Sequence, residues 1–334
     1  MTPKERLMRR MNGETVDKLP NLNIIMQFSA HYSGVKYGEY CSDYKKLVAC
    51  DLKCSEDFGL DLLSVISDPM REAHGFGADV IIYDDDVPSC TNKLIQDYGD
   101  IKKLKVIDPG TDPRMLDRIQ AVELFKKEAG DTYPVCGWVE GSVAEASDLR
   151  DINDMMVDLL IEPEFAHELL EICLQQGIAF AKAQIDAGAD IVGVGDAASS
   201  LLGPDLYEKF GLPYQKKLLA AIQEYGAKTK LHICGNIQPI LSLLPRENID
   251  ILDVDWMVSL QDAVDILGDT VCIGGNYDPV AILLQGTKED VKNAVQSCAL
   301  DNDRMASSAG CEVPKFTLHA NMKAVADKLA EMGA

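Results

Sequence analysis

The feature that most limits how this chain can fold is an alternation of short apolar runs, each of strand length, with stretches that carry the 3.6-residue period of a helix. Eight such runs can be marked: Pro20–Phe28, Leu60–Ser67, Tyr133–Val139, Asp190–Val194, Thr229–Ile233, Ile249–Val254, Val271–Gly275 and Arg304–Ser308. Glu164–Ala187, Asp205–Tyr225 and Lys288–Cys298 are among the helical stretches between them. Eight successive β/α units predict an α/β fold closed as a single (β/α)8 TIM barrel, not an open doubly wound sheet. Met1–Lys18 reads as an N-terminal helical extension. Gly77–Pro88 (GADVIIYDDDVP) reads as a short extra hairpin between strands 2 and 3, folded over one mouth. With no linker, low-complexity tract or repeat in view, residues 1–334 are read as one domain.

Composition narrows the function classes. The net charge of −22 repels phosphate backbones and anionic lipid, so neither nucleic acid nor a membrane surface is expected as a partner. No apolar run reaches the ~18 residues of a membrane span. The ten cysteines lack the dense paired spacing of small secreted domains. Reduced thiols, a cytoplasmic location and possible metal ligation follow. The sequence leaves a homo-oligomer open.

A barrel carries its active site at the C-terminal ends of its strands. The polar residues at those ends are Glu140, Asp196, His232 with Cys234, Asp255, Asn276 and Cys311. In His232-Ile233-Cys234-Gly235, residues i and i+2 of a strand share a face, so imidazole and thiolate can meet one ion. Cys311 ends the last strand. One nitrogen and two sulfurs suit zinc, with a position left open for chemistry. Taken alone, an H-x-C pair reads as readily as an inert core Cys beside a hydrogen-bonded His; the second Cys at another strand end shifts that balance. Asp255, one strand after Cys234, and Glu140 both remain candidates for a fourth ligand, with Asp255 slightly favoured. Asp196 reads equally as a substrate contact or a loop cap. Asn276 and Tyr277 read as substrate contacts or parts of a tight turn, and Trp138 and Tyr83 as stacking surfaces or core.

These segments bear a family likeness. TPKERLMRRMNGETVDKLP, LHICGNIQPIL, DILDVDWMVSLQDAV, IGGNYDPVAIL and SSAGCEVPKFT resemble the uroporphyrinogen decarboxylase superfamily along nearly the whole chain. Its zinc-dependent, corrinoid-linked methyltransferases carry an H-x-C followed by a late G-C, matched here at His232, Cys234 and Cys311. The coenzyme M branch adds an acidic zinc ligand one strand later, where this chain has the shorter Asp255. The decarboxylase itself carries arginines near the first strand end, where this chain reads MQFSAHYSG.

The resemblance implies an enzyme that uses zinc and meets its corrinoid on a partner protein, since no D-x-H-x-x-G motif is present. GWVEGSVAEASDLRDINDMMVDL is more similar to the demethylating branch. The expected activity is therefore transfer of methyl from a small methylated donor, such as a methoxylated aromatic, to the corrinoid cobalt. Glu140 is the expected catalytic carboxyl, and its charge is expected to repel the sulfonate of coenzyme M. The alternatives are a methylcobamide:coenzyme M (thiol) methyltransferase, and a non-catalytic zinc-stabilised barrel that binds a corrinoid protein.

Overall fold

The computed structural model describes residues 1–333. Seven parallel strands pair in the order β1-β4-β5-β6-β7-β8-β9. They are β1 (Leu63–Ser64), β4 (Val135–Glu140), β5 (Ile191–Gly195), β6 (Lys228–His232), β7 (Ile251–Asp253), β8 (Cys272–Tyr277) and β9 (Met305–Ala309). The expected hairpin is present as β2 (Val80–Ile81) paired antiparallel with β3 (Ser89–Cys90). The register sets Glu140, Gly195, His232 and Asp253 on one rung across four neighbouring strands. No helix among the described residues is long and apolar enough to cross a membrane.

The eighth position of the barrel differs from the expected strand Pro20–Phe28. Only Asn21 pairs, as a parallel bridge to Ser307. Ser307 donates its N–H to Pro20 O and accepts from Leu22 N, both at 2.8 Å. On the other side Asp61 N donates to Asn21 O at 2.9 Å, so this short segment joins the two sheet edges. The ladder stops there because a side chain takes over. Asn23 Oδ1 accepts the Ala309 N–H at 2.9 Å, the donor that a longer strand would have used. The chain then turns into the helix Met26–Tyr32, which buries Phe28 completely against Phe58 at a centroid distance of 5.5 Å. Burying one such ring is worth ~2–3 kcal/mol. A short apolar run of this kind reads alike as strand or helix until its partners are known.

The other expected elements stand close to their sequence positions, as the helices Pro163–Asp186 and Lys288–Ser297 show. The leading helix is shorter, Pro3–Met11. Its Leu7 and Met11 close the base of the barrel against Leu22, Cys136, Ile191 and Ile251. Strand β1 is so short that β4 runs past it, and its outer edge needs other partners. Gln184 accepts from Trp138 N at 2.8 Å and donates to Trp138 O at 2.9 Å, while Glu72 accepts from Glu140 N at 2.9 Å. Trp138 itself needs space on the next strand: a Cβ on Gly193 would lie 2.2 Å from its ring.

The seam also depends on a buried carboxylate. Asp61 is 1% exposed, accepts from Asn21 N at 2.7 Å and pairs with the Arg6 guanidinium. Asp61→Ala should lower unfolding stability by about 2–3 kcal/mol, since it strands a buried backbone N–H and removes a buried ion pair. A urea melt checks this, and a loss under ~0.5 kcal/mol, the size of an ordinary surface change, would place the closing force elsewhere.

Candidate metal centre and the cavity around it

His232 ends β6, and two residues later the chain must leave the barrel wall. Gly235 makes that turn at φ +94°, a left-handed conformation natural to glycine. Cys234 is thereby held with its sulfur 3.1 Å from His232 Nε2. Cys311 follows β9 through Gly310, where a Cβ would lie 2.2 Å from Trp256 N. Only glycine allows the loop after β7 to pass so close, and the passage brings Cys311 Sγ to 3.7 Å from Cys234 Sγ. The three donor atoms lie within 4.8 Å of one another, as a metal ion would require.

The two thiols share their protons unequally. Cys311 is lowered to about 4, because its thiolate accepts hydrogen bonds from Cys234 and His232 against the cost of burial. Cys234 is raised, as it keeps the shared proton and is buried near Asp255 and Glu140. Cys311 is thus the thiolate of the pair at neutral pH.

A cavity of about 230 Å³ opens onto this group. Trp138, Glu140 and Asp196, three of the expected site residues, line it with Ile66, Asp68 and Glu312. Burial, followed by the neighbouring Glu72, pushes the Glu140 carboxyl well above its usual range, although Arg71 stands 3.5 Å away. Asp196 is also raised by burial, which outweighs its bonds from Gln215 (2.6 Å), Ser199 (2.7 Å) and Ala144 N (3.0 Å). Its carboxyl packs against Gly141, where a Cβ would come within 2.4 Å. Asp68 moves the other way: its burial is outweighed by Arg114 at 2.8 Å and by Arg71, so it stays ionised.

Four residues named from the sequence stand apart. Asp255 is not in the three-donor group; its Oδ2 accepts from Gly235 N at 2.9 Å and its Oδ1 from Met257 N at 3.0 Å. Its carboxylate holds the turn that aims Cys234. Asn276 spends its amide N–H groups on Asp255 O (3.0 Å) and Val258 O (2.8 Å). Tyr277 is buried in a core cluster with its hydroxyl accepting from Asn23 Nδ2 at 2.7 Å. Neither lines the cavity. Tyr83 lies on the hairpin segment with its hydroxyl 3.0 Å from Ser89 Oγ.

The sequence reading passed over Glu312, raised to about 7 by burial. It also passed over buried Glu72 and Glu145 and half-buried Asp148, whose carboxyls neighbour Glu140. The available signal was the run Val139-Glu140-Gly141-Ser142-Val143-Ala144-Glu145-Ala146-Ser147-Asp148, acidic groups with no basic residue at helical spacing to pair them.

The pKa split has a direct chemical consequence. In the metal-free chain, iodoacetamide at pH 6 should label Cys311 first, because its thiolate persists down to about pH 4. Buried Cys136 and Cys272, raised to about 11 and 12, should stay unlabelled. Peptide mass mapping reads the result, and equal labelling of Cys234 and Cys311 would contradict this division.

The chain matches the family described as Uroporphyrinogen decarboxylase (URO-D) over residues 2–332. The Methylcobamide:CoM methyltransferase MtbA of Methanosarcina acetivorans is 30% identical over 328 residues, 96% of each chain. Its namesake in Methanosarcina mazei is 30% identical over 332 residues, again 96% of each. A solved methyltransferase from Methanosarcina mazei shares the fold, with a TM-score of 0.90 at 23% identity and 100% of both chains covered.

Proposed function

We propose that this chain, which belongs to the uroporphyrinogen decarboxylase (URO-D) family, is a zinc-dependent methyltransferase that moves a methyl group from a corrinoid protein's cobalt to a small thiol. The observation that carries the reading is the convergence of one imidazole nitrogen and two sulfurs within 4.8 Å at the mouth of a cavity. The direction is the reverse of the demethylation expected from the sequence. The relatives at 30% identity over 96% of both chains are named for transfer from methylcobamide to coenzyme M. The electrostatic argument for demethylation also fails. It needed an ionised Glu140 to repel an anionic thiol, whereas burial and Glu72 push that carboxyl well above its usual range and disfavour its charged form.

The donor set fits zinc. Two sulfurs each ~2.3 Å from one tetrahedral ion stand about 3.8 Å apart. Here they stand 3.7 Å apart. A thiolate is already favoured at Cys311, and thiolate is the form that binds zinc. His232, Cys234 and Cys311 would hold the ion, and a three-donor set of this kind would leave a position open to substrate. When bound, zinc supplies a Lewis acid that favours the thiolate form of a thiol at neutral pH.

The chain's own groups complete the site. The substrate sulfur attacks the methyl carbon, the cobalt–carbon bond breaks, and both its electrons return to cobalt as the thiol proton leaves to solvent. With its ionised form disfavoured by burial and by Glu72, Glu140 opposes an incoming thiolate less than an exposed carboxylate would. Ile24, Met26, Ile66 and Trp138 form apolar walls that keep water from the reacting sulfur. The corrinoid would arrive on a separate protein in the same compartment as these reduced thiols.

The decisive assay gives zinc-loaded protein methylcobalamin with coenzyme M or 2-mercaptoethanol, and separately cobalt(I) cobalamin with methoxylated aromatics. Thiol-dependent loss of the methylcobalamin absorbance is expected, with at least a ~100-fold decrease in the metal-depleted Cys311→Ala protein. Methylation of cobalt(I) by an aromatic donor with no thiol reaction would reverse the direction. Inactivity in both arms would leave a non-catalytic corrinoid-binding barrel.

A further inference from the structure

Cys234 Sγ and Cys311 Sγ stand 3.7 Å apart, at contact distance. The two residues are 77 positions apart in the chain, so the closed barrel and not the local sequence makes this contact. Each cysteine lies two residues past the end of its strand, Cys234 beyond His232 of β6 and Cys311 beyond Ala309 of β9. Neither is fixed in the ladder. A disulfide needs its sulfurs at ~2.05 Å, so the pair must close by about 1.6 Å. Side-chain rotation at positions outside the ladder is a motion of that size.

Access favours the same pair. Both sulfurs line the metal cavity, and both residues are only partly buried. Six of the other eight cysteines are buried. Cys90 lies in the hairpin and Cys298 caps the helix Lys288–Ser297, and neither lines the cavity. A cysteine oxidised alone passes from sulfenic to sulfinic acid, an irreversible step for most thiols. A sulfenic acid at either of these positions meets a second sulfur in contact with it, and that sulfur stops the oxidation at the disulfide.

We propose that Cys234 and Cys311 form a reversible disulfide under oxidation, and that this bond and zinc exclude one another at the same two sulfurs. The inference rests on the metal reading above and adds a redox control to it. With hydrogen peroxide as the oxidant, one cysteine thiolate attacks a peroxide oxygen, the O–O bond breaks and hydroxide leaves. The second thiolate attacks the sulfenic acid so formed, the S–S bond closes and hydroxide leaves again. The two thiol protons turn both hydroxides into water. The sulfurs are oxidised by two electrons and the peroxide is reduced by two. A disulfide sulfur is no longer a thiolate, so His232 remains as the one intact donor of the three. A dithiol reverses the bond by exchange. The control suits the transfer, which returns an electron pair to cobalt and leaves it in a reduced form that oxidants destroy.

The test treats zinc-loaded and metal-free protein with hydrogen peroxide, follows the cross-link by non-reducing peptide mass mapping, and follows released zinc with a chelating dye. A single Cys234–Cys311 cross-link is expected, formed roughly tenfold faster in the metal-free protein, where no ion holds the thiolates. In the loaded protein one zinc should appear for each bond formed. Dithiothreitol followed by zinc should restore both thiols and the metal. In Cys234→Ser, which has no second sulfur, dimedone should trap Cys311 as sulfenic acid. Sulfinic acid at Cys311 of the unaltered protein without a cross-link, a cross-link between another pair, or zinc retained by the cross-linked protein overturns the proposal. A Cys234–Cys311 bond in a chain that takes up no zinc when reduced would uphold the disulfide and refute the metal reading.

Discussion

Seven paired strands form only an open sheet, and Cys311 meets His232 because its two edges, β1 and β9, are drawn together. Pro20–Leu22 does this, exchanging two backbone hydrogen bonds with Ser307 on one side and one with Asp61 on the other. Buried Asp61, paired with Arg6, holds the same segment. The ring so closed places the strand ends in register, with Glu140, Gly195, His232 and Asp253 level with one another. The donor group is therefore a consequence of long-range pairing, and its precision comes from two glycines. Gly235 turns the chain beyond Cys234, and Gly310 lets the loop after β7 press against the end of β9.

The same packing decides the electrostatics. A chain of net charge −22 would be expected to present ionised acid at any cavity. Close packing instead removes water from Glu140 and Glu145, and desolvation plus repulsion from neighbouring carboxyls favours their neutral forms. Asp68 escapes because two arginines face it. The result is a cavity whose acidic residues differ in charge, with the ionised form favoured at Asp68 and disfavoured at Glu140, where an incoming thiolate must pass.

The legible part of the sequence was the periodic part. The strand alternation placed seven of the eight runs, and the i, i+2 relation of His232 and Cys234 survived intact because strand geometry is local. The first run misled because MQFSAHY can bury the same apolar residues as a helix, and Asn23, which ends the ladder with its side chain, has no sequence signature. Asp255 was expected as a ligand from its strand-end position and from the acidic ligand that the coenzyme M branch carries one strand after H-x-C; its two backbone N–H partners come from the Gly235 turn and its own loop, visible only in three dimensions. Tyr277 alternates out of the barrel mouth into a core cluster. The buried carboxyls were overlooked for the opposite reason: on paper they look like a solvated helix face, and their burial depends on β1 stopping short so that Glu72 can reach Glu140 N.

His232, Cys234 and Cys311 would hold a zinc ion that favours the thiolate form of a small thiol. X-ray absorption at the zinc edge, recorded on the loaded protein before and after a thiol is added, tests it most directly. Two sulfur neighbours at ~2.3 Å are expected before addition and three afterwards, in place of one light-atom neighbour. An unchanged sulfur count after saturating thiol, or a resting site without two sulfurs, would contradict it.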